Sequence, residues 1–101
     1  MNEADLLRAE VILEEMAGLL LAENNASPWG RKLYSLAQKK TLHADDFRSQ
    51  IKGLYGGMGS LNDVVLFSSN GKVDREANRA FSALKEELFK LVSPYSTGSD
   101  T

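Results

Sequence analysis

Apolar residues recur at three- and four-residue steps along most of the chain, and the polar residues between them mark where each element begins and ends. Leu6, Ala9, Leu13, Met16, Ala17 and Leu20 fall on one helical face. Val11 and Ile12 are expected to broaden that face, with Arg8, Glu14 and Glu15 on the solvated side. Asp5 or Asn2 can cap the start, where acids suit the positive end of the helix dipole. Asn24-Asn25 is the expected stop, because asparagine tolerates the left-handed conformation that ends helices. Ser27-Pro28 then opens a second helix: serine is a favoured cap, and proline at the first position lacks only an N–H that would be unpaired there. Trp29, Leu33, Leu36 and Ala37 form its stripe, and Lys39-Lys40 meets its negative end. A third helix is predicted from about His43 to Tyr55, with Asp45 and Asp46 in its first turn. Phe47, Ile51, Leu54 and Tyr55 form its buried side, Gly53 weakens the last turn and Gly56 ends it.

The periodicity then breaks. Gly56-Gly57-Met58-Gly59-Ser60-Leu61-Asn62-Asp63 is irregular and leads into Val64-Val65-Leu66-Phe67, a run dominated by strand formers. Ser68-Ser69-Asn70-Gly71 reads as a turn, and only Lys72-Val73 separates it from Asp74, the cap of a final helix. Any hairpin here must therefore be very short. A single helical turn through Val64 to Phe67, capped by Asn62, fits the same run equally well. The last helix runs from about Arg75 to Val92, with Ala77, Ala80, Phe81, Leu84, Leu88 and Leu91 facing inward. Pro94 is expected to stop it and to leave residues 93–101 as a disordered polar tail. Four amphipathic helices must cover one another. The expected fold is mainly all-α: a small four-helix bundle in one domain, residues 1–92, with an irregular Gly-rich insertion and room for a very short β-hairpin. A homodimer that buries part of the first helix is compatible with so small a domain.

Composition narrows the chemistry. The chain has 101 residues, 43% hydrophobic and 26% charged, which suits one globular domain. Its net charge of −2 gives no drive towards nucleic acid or an anionic membrane, so neither is expected as a partner. Cysteine is absent, which removes disulfides, thiol nucleophiles and thiolate metal sites. Acids precede the first apolar run and charges interrupt it, unlike a signal peptide or a membrane span. The expected location is cytoplasmic.

The unusual local feature is the glycine cluster, since four of the eight glycines fall between Gly53 and Gly59. Consecutive N–H groups in such a loop can cradle an anion. No Gly-Lys-Ser/Thr follows, and the loop comes after a helix, not a strand, so neither nucleotide fingerprint is met. A tight connection that lets Met58 and Leu61 dip into the core explains the glycines more simply. Asn62-Asp63 offers an exposed pair, better read as a turn or cap than as a metal site with two ligands. His43 has no nucleophile or orienting carboxylate at a specific spacing, and Asp45-Asp46 suits the helix dipole. Trp29 and Tyr34 beside Arg31 and Lys32 make a weak aromatic–basic mixture, with Trp29 a packing anchor. Arg75, Arg79, Lys85 and Lys90 alternate with Glu76, Glu86 and Glu87 as a solvated face laced with ion pairs.

The run from Ile51 to Leu66, with Tyr55 followed by Gly-Gly-Met-Gly-Ser-Leu-Asn-Asp, resembles the signature of a family of small uncharacterised bacterial proteins. The resemblance covers roughly residues 6 to 92. It implies a bacterial, cytoplasmic, single-domain protein and supplies no catalytic residue. The leading expectation is a non-enzymatic protein–protein interaction module, an immunity or accessory factor, with no cofactor or metal. Its candidate recognition loop is Tyr55, Gly57, Gly59, Ser60, Asn62 and Asp63. The alternative is a small-ligand or anion-binding protein, or a minimal enzyme, using the same loop.

Overall fold

The first helix, α1 (Glu3–Glu23), is the spine against which the rest is laid. The computed structural model describes residues 3–24, 27–38, 44–55 and 61–96, and the side chains of these except 44 and 93–96. Three more helices follow, α2 (Pro28–Ala37), α3 (Ala44–Gly53) and α4 (Arg75–Ser96). A 3₁₀ turn over Leu61–Asp63 lies between α3 and α4. Among the described residues there is no sheet, only a single antiparallel bridge between Phe67 and Val73. The fold is a small all-α bundle in which α1 packs most extensively on α2 and next on α4, while α3 lies against α4.

Ala9, Ile12, Leu13, Met16, Ala17 and Leu20 of α1 are buried. They meet Leu33, Leu36 and Ala37 of α2, Phe47 and Ile51 of α3, and Phe81, Leu88 and Val92 of α4 in one continuous core. Each Leu, Ile, Val, Met or Phe side chain among them contributes about 1.5–3 kcal/mol by leaving water. The turn between α1 and α2 is made by backbone and cap together. Asn24 N–H bonds to Leu20 O at 3.0 Å, Ser27 N–H bonds to Asn24 O at 2.9 Å, and Ser27 Oγ accepts from Gly30 N–H at 3.1 Å. Gly30 is needed for the close approach of α2 to α1. A Cβ there would stand 2.8 Å from Leu21 Cδ2.

Several boundaries differ from the sequence reading. Asp5 lies inside the first turn of α1 and not at its cap. α1 stops at Glu23, just before Asn24 as expected, but Asn24 does not take the left-handed conformation; its N–H still bonds to Leu20 O and its carbonyl accepts from Ser27. Val11 is 43% exposed, because the buried arc of α1 centres on Ala9, Met16 and Leu20, nearly opposite it. Ala80 is exposed, and Val92 takes the inward place below Leu88. Pro94 does not stop α4, which continues to Ser96. Proline removes one donor from the ladder, and so close to the end its neighbours keep theirs. Tyr55 sits in the turn after α3, which ends at Gly53. Asn2, Asn25, Lys39, Lys40, His43 and residues 56–60 and 97–101 lie outside the described residues.

The run Val64 to Phe67 is neither a helical turn nor a strand of a sheet. The helical turn comes earlier, at Leu61–Asp63, and Asn62 is inside it. The hairpin is as short as Lys72-Val73 demanded. Ser68 N–H bonds to Lys72 O at 2.7 Å and Asp74 N–H to Leu66 O at 3.0 Å, either side of the Phe67–Val73 bridge. Gly71, at φ 83°, supplies the left-handed step of the turn.

Candidate functional site

The site begins where α3 ends. Leu54 and Tyr55 close the last turn with bonds to Ile51 O and Lys52 O at 3.0 and 3.2 Å. Leu61 N–H then returns to Leu54 O at 2.8 Å, and the Asn62 amide donates to Tyr55 O at 3.1 Å. The two described ends of the glycine-rich segment are thus fastened to each other, with Leu61 fully buried beneath them. Gly57, Gly59 and Ser60, together with Gly56 and Met58, lie outside the described residues. The Asn62 bond runs backward to Tyr55, where a cap on the following residues was expected.

Tyr55 anchors this end to α4. Its ring lies 5.1 Å from that of Phe89, tilted by 60°, and its hydroxyl donates to Lys85 O at 2.7 Å. Burial raises the hydroxyl pKa well above its ordinary value, so Tyr55 stays a neutral donor. Tyr55, Asn62, Ser82, Lys85, Glu86 and Phe89 line a cleft of ≈ 530 Å³. Asp63 belongs to another surface, a recess of ≈ 290 Å³ shared with Glu23, Trp29 and Val65. The structure therefore brings Tyr55 and Asn62 together and sends Asp63 elsewhere. Neither Asn62 nor Asp63 stands without a partner. Among the described residues no three His, Cys, Asp or Glu side chains converge as metal ligands.

Beside this recess the extended segment 64–67 is held by side chains. Leu66 N–H donates to Asn78 Oδ1 at 2.9 Å, and Asn78 Nδ2 donates to Leu66 O at 2.8 Å and to Asp74 O at 2.7 Å. Phe67 N–H is taken by the Glu23 carboxylate. Asp74 caps α4 through Ala77 N–H at 2.9 Å. Phe67 and Val73 are the non-hydrogen-bonded pair of their bridge, so their side chains stand close together on one face. Both are exposed, as is Val65 two residues before Phe67. Sequence reasoning missed Asn78 and Glu23. The signal for Asn78 was a polar residue three positions before Phe81, on the stripe otherwise turned inward.

The remaining candidates resolve simply. Trp29 is half-buried, and Lys32 Nζ lies 4.9 Å from its ring centroid, a cation–π contact that engages part of the aromatic–basic mixture. Asp45 and Asp46 are exposed in the first turn of α3. Glu87 forks onto Arg8 across the α1–α4 seam at 2.6 and 2.9 Å, and Lys90 pairs with Glu86 at 3.2 Å.

The profile of a domain of unknown function (DUF6966) matches residues 22–75, just over half of the chain. The chain belongs to this family. The DUF6966 segment runs from the last turn of α1 to the first residue of α4 and contains the whole run from Ile51 to Leu66. Comparison with curated proteins and with solved structures gives no match. Among the described residues, no helix is long and apolar enough to cross a membrane.

Proposed function

We propose that this protein is a non-enzymatic protein-binding module of the bacterial cytoplasm, acting as an immunity or accessory factor for its partner. The residues proposed for recognition are Tyr55, Gly57, Gly59, Ser60, Asn62 and Asp63, extended by the hairpin. The observation that carries this reading is the apolar patch of Val65, Phe67 and Val73, exposed by 48, 46 and 53%. Grouped exposed apolar side chains on a loop held by a rigid scaffold are characteristic of interaction surfaces. Here Asn78 and Glu23 supply the rigidity, and Glu23 occupies the Phe67 N–H, the outward backbone donor that an added strand would need. The partner is therefore met by side chains, face on. Affinity capture from the native host tests this: a stoichiometric partner should be retained by the wild type and lost with Phe67→Ser plus Val73→Ser. Identical recovery with both forms, or no stoichiometric partner, sinks the proposal.

A second reading rests on the cleft of ≈ 530 Å³, which Lys85, Ser82 and Glu86 line together with the Tyr55–Phe89 pair. This geometry suits a small carboxylate or phosphate compound with an apolar body. A rise in melting temperature with such a compound, lost in Lys85→Ala, would favour it, and a flat response across a broad panel would remove it.

A further inference from the structure

The outward side of α1 carries exposed apolar residues of its own. Opposite the buried arc, Ala4, Leu7, Val11, Gly18 and Ala22 are all exposed, with the exposed Glu14 and Glu15 filling the gap between Val11 and Gly18. Leu7 and Val11 are 58 and 43% exposed, and a Cβ at Gly18 would meet nothing within 4 Å. Helices that are apolar on two opposite sides are normally covered on both. The steps are those of a helix-packing stripe broken once by the charged pair Glu14-Glu15, with Leu7 and Val11 as its large apolar residues, and a further helix can cover it.

Charge selects the occupant. Glu3, Asp5, Glu10, Glu14, Glu15 and Glu23 lie on α1, and its lone base, Arg8, is forked by Glu87. A second copy of α1 would set acid against acid along the seam, which costs stability. Between α1 and α3 a recess of ≈ 200 Å³ is lined by Glu3, Leu6, Leu7, Glu10 and Phe47. A recess lined by apolar side chains together with two carboxylates suits the stem and head of lysine or arginine.

We propose that the outer face of α1 docks a basic amphipathic helix of another protein. The apolar residues of that helix lie over Leu7 and Val11, and one of its cations enters the recess between Glu3, Glu10 and Phe47. The surface is separate from the hairpin and lies almost wholly outside residues 22–75, so this inference stands or falls independently of the hairpin's role.

The test uses a fluorescent synthetic peptide about three heptads long, with leucine at the two seam positions and lysine elsewhere. A peptide of the same composition with scrambled order is the control, and anisotropy with the full chain is the readout. The patterned peptide should bind, and the scrambled one should bind at least about tenfold more weakly. Leu7→Ser plus Val11→Ser keeps every charge and should weaken binding about tenfold or more. Glu3→Gln plus Glu10→Gln should weaken it a few-fold and flatten its salt dependence. Equal binding of both peptides, or binding unchanged in the serine variant, overturns the proposal. So does light scattering that finds a wild-type dimer and a monomeric serine variant, because a second copy would then be the occupant.

Discussion

The Asn78 carboxamide and the Leu66 peptide group face each other as neighbouring strands do, exchanging two hydrogen bonds of 2.9 and 2.8 Å. A side chain of α4 thus stands in for a strand and holds the chain extended through Leu66, whose own side chain is buried. Asn78→Ala leaves the Leu66 N–H without its acceptor in a part-buried setting. The expected loss is about 1–3 kcal/mol, read from the urea midpoint. Asn78→Asp should be worse, because it keeps the acceptor but places a carboxylate oxygen against the carbonyls of Leu66 and Asp74. Amide exchange at Leu66 should accelerate in both variants while that of the α1 core does not.

Acid should weaken the seam between α1 and α4. The Arg8 fork holds the Glu87 carboxyl below the usual carboxylate range through its hydrogen bonds. A carboxyl depressed on folding stabilises the native state above its unfolded pKa, and that contribution is lost as pH falls through the folded pKa. Both side chains are nearly half exposed, so the effect is small and screened by salt. Wild type should therefore exceed Glu87→Gln in stability at neutral pH and low salt. The difference should vanish in acid and shrink in high salt, as measured by denaturant titration across pH.

Alkali should act at the other end. The Tyr55 pKa is raised by burial, so the native state keeps a proton that the unfolded chain gives up. Stability is intact below the unfolded tyrosine value of about 10 and declines as pH rises beyond it. Tyr55→Phe should lose about 1 kcal/mol at neutral pH, from the bond to Lys85 O, and keep the ring contact with Phe89. It should also flatten the alkaline limb of thermal stability. A limb unchanged in this variant would assign the alkaline loss to another group.

Two helical glycines should respond in opposite directions to alanine. At Gly18 the new methyl meets open space, so the helix gains about 1 kcal/mol of propensity. At Gly30 it meets Leu21 Cγ and Cδ2 at 2.9 and 2.8 Å, and the same gain is offset or reversed by repacking of about 1–3 kcal/mol. Melting curves of the two single variants make the comparison directly.

The helices were legible because their apolar spacing is local. Leu13, Met16 and Leu20, or Ile51 after Phe47, declare a face without knowledge of the partner, and Ser27-Pro28 and Asp74 declare starts through side chains that cap within three residues. What was illegible depended on three-dimensional neighbours. Val11 is a different case, since the helical step alone sets it nearly opposite Ala9, Met16 and Leu20 while Ile12 falls on their side. Asn78 looks like a surface residue until Leu66 arrives from twelve positions away. Asn62 and Asp63 are adjacent in sequence, and the 3₁₀ turn places them on separate surfaces. The central motif could be noticed, but its described polar groups do work that no spacing rule assigns: Asn62 fastens the loop behind it.

The limits of family likeness and the limits of the folding unit do not coincide. Residues 22–75 include α2, α3 and the hairpin, but the apolar sides of those elements rest on Ile12, Met16 and Leu20 before them and on Phe81 and Leu88 after them. Asn78, which holds Leu66 in place, also falls beyond the boundary. A fragment cut at 22 and 75 should be largely unfolded by circular dichroism, and mixing it with separate α1 and α4 peptides should restore helix only at high concentration. The segment that carries the family likeness is thus a lid whose seat lies outside it, in the helices on either side.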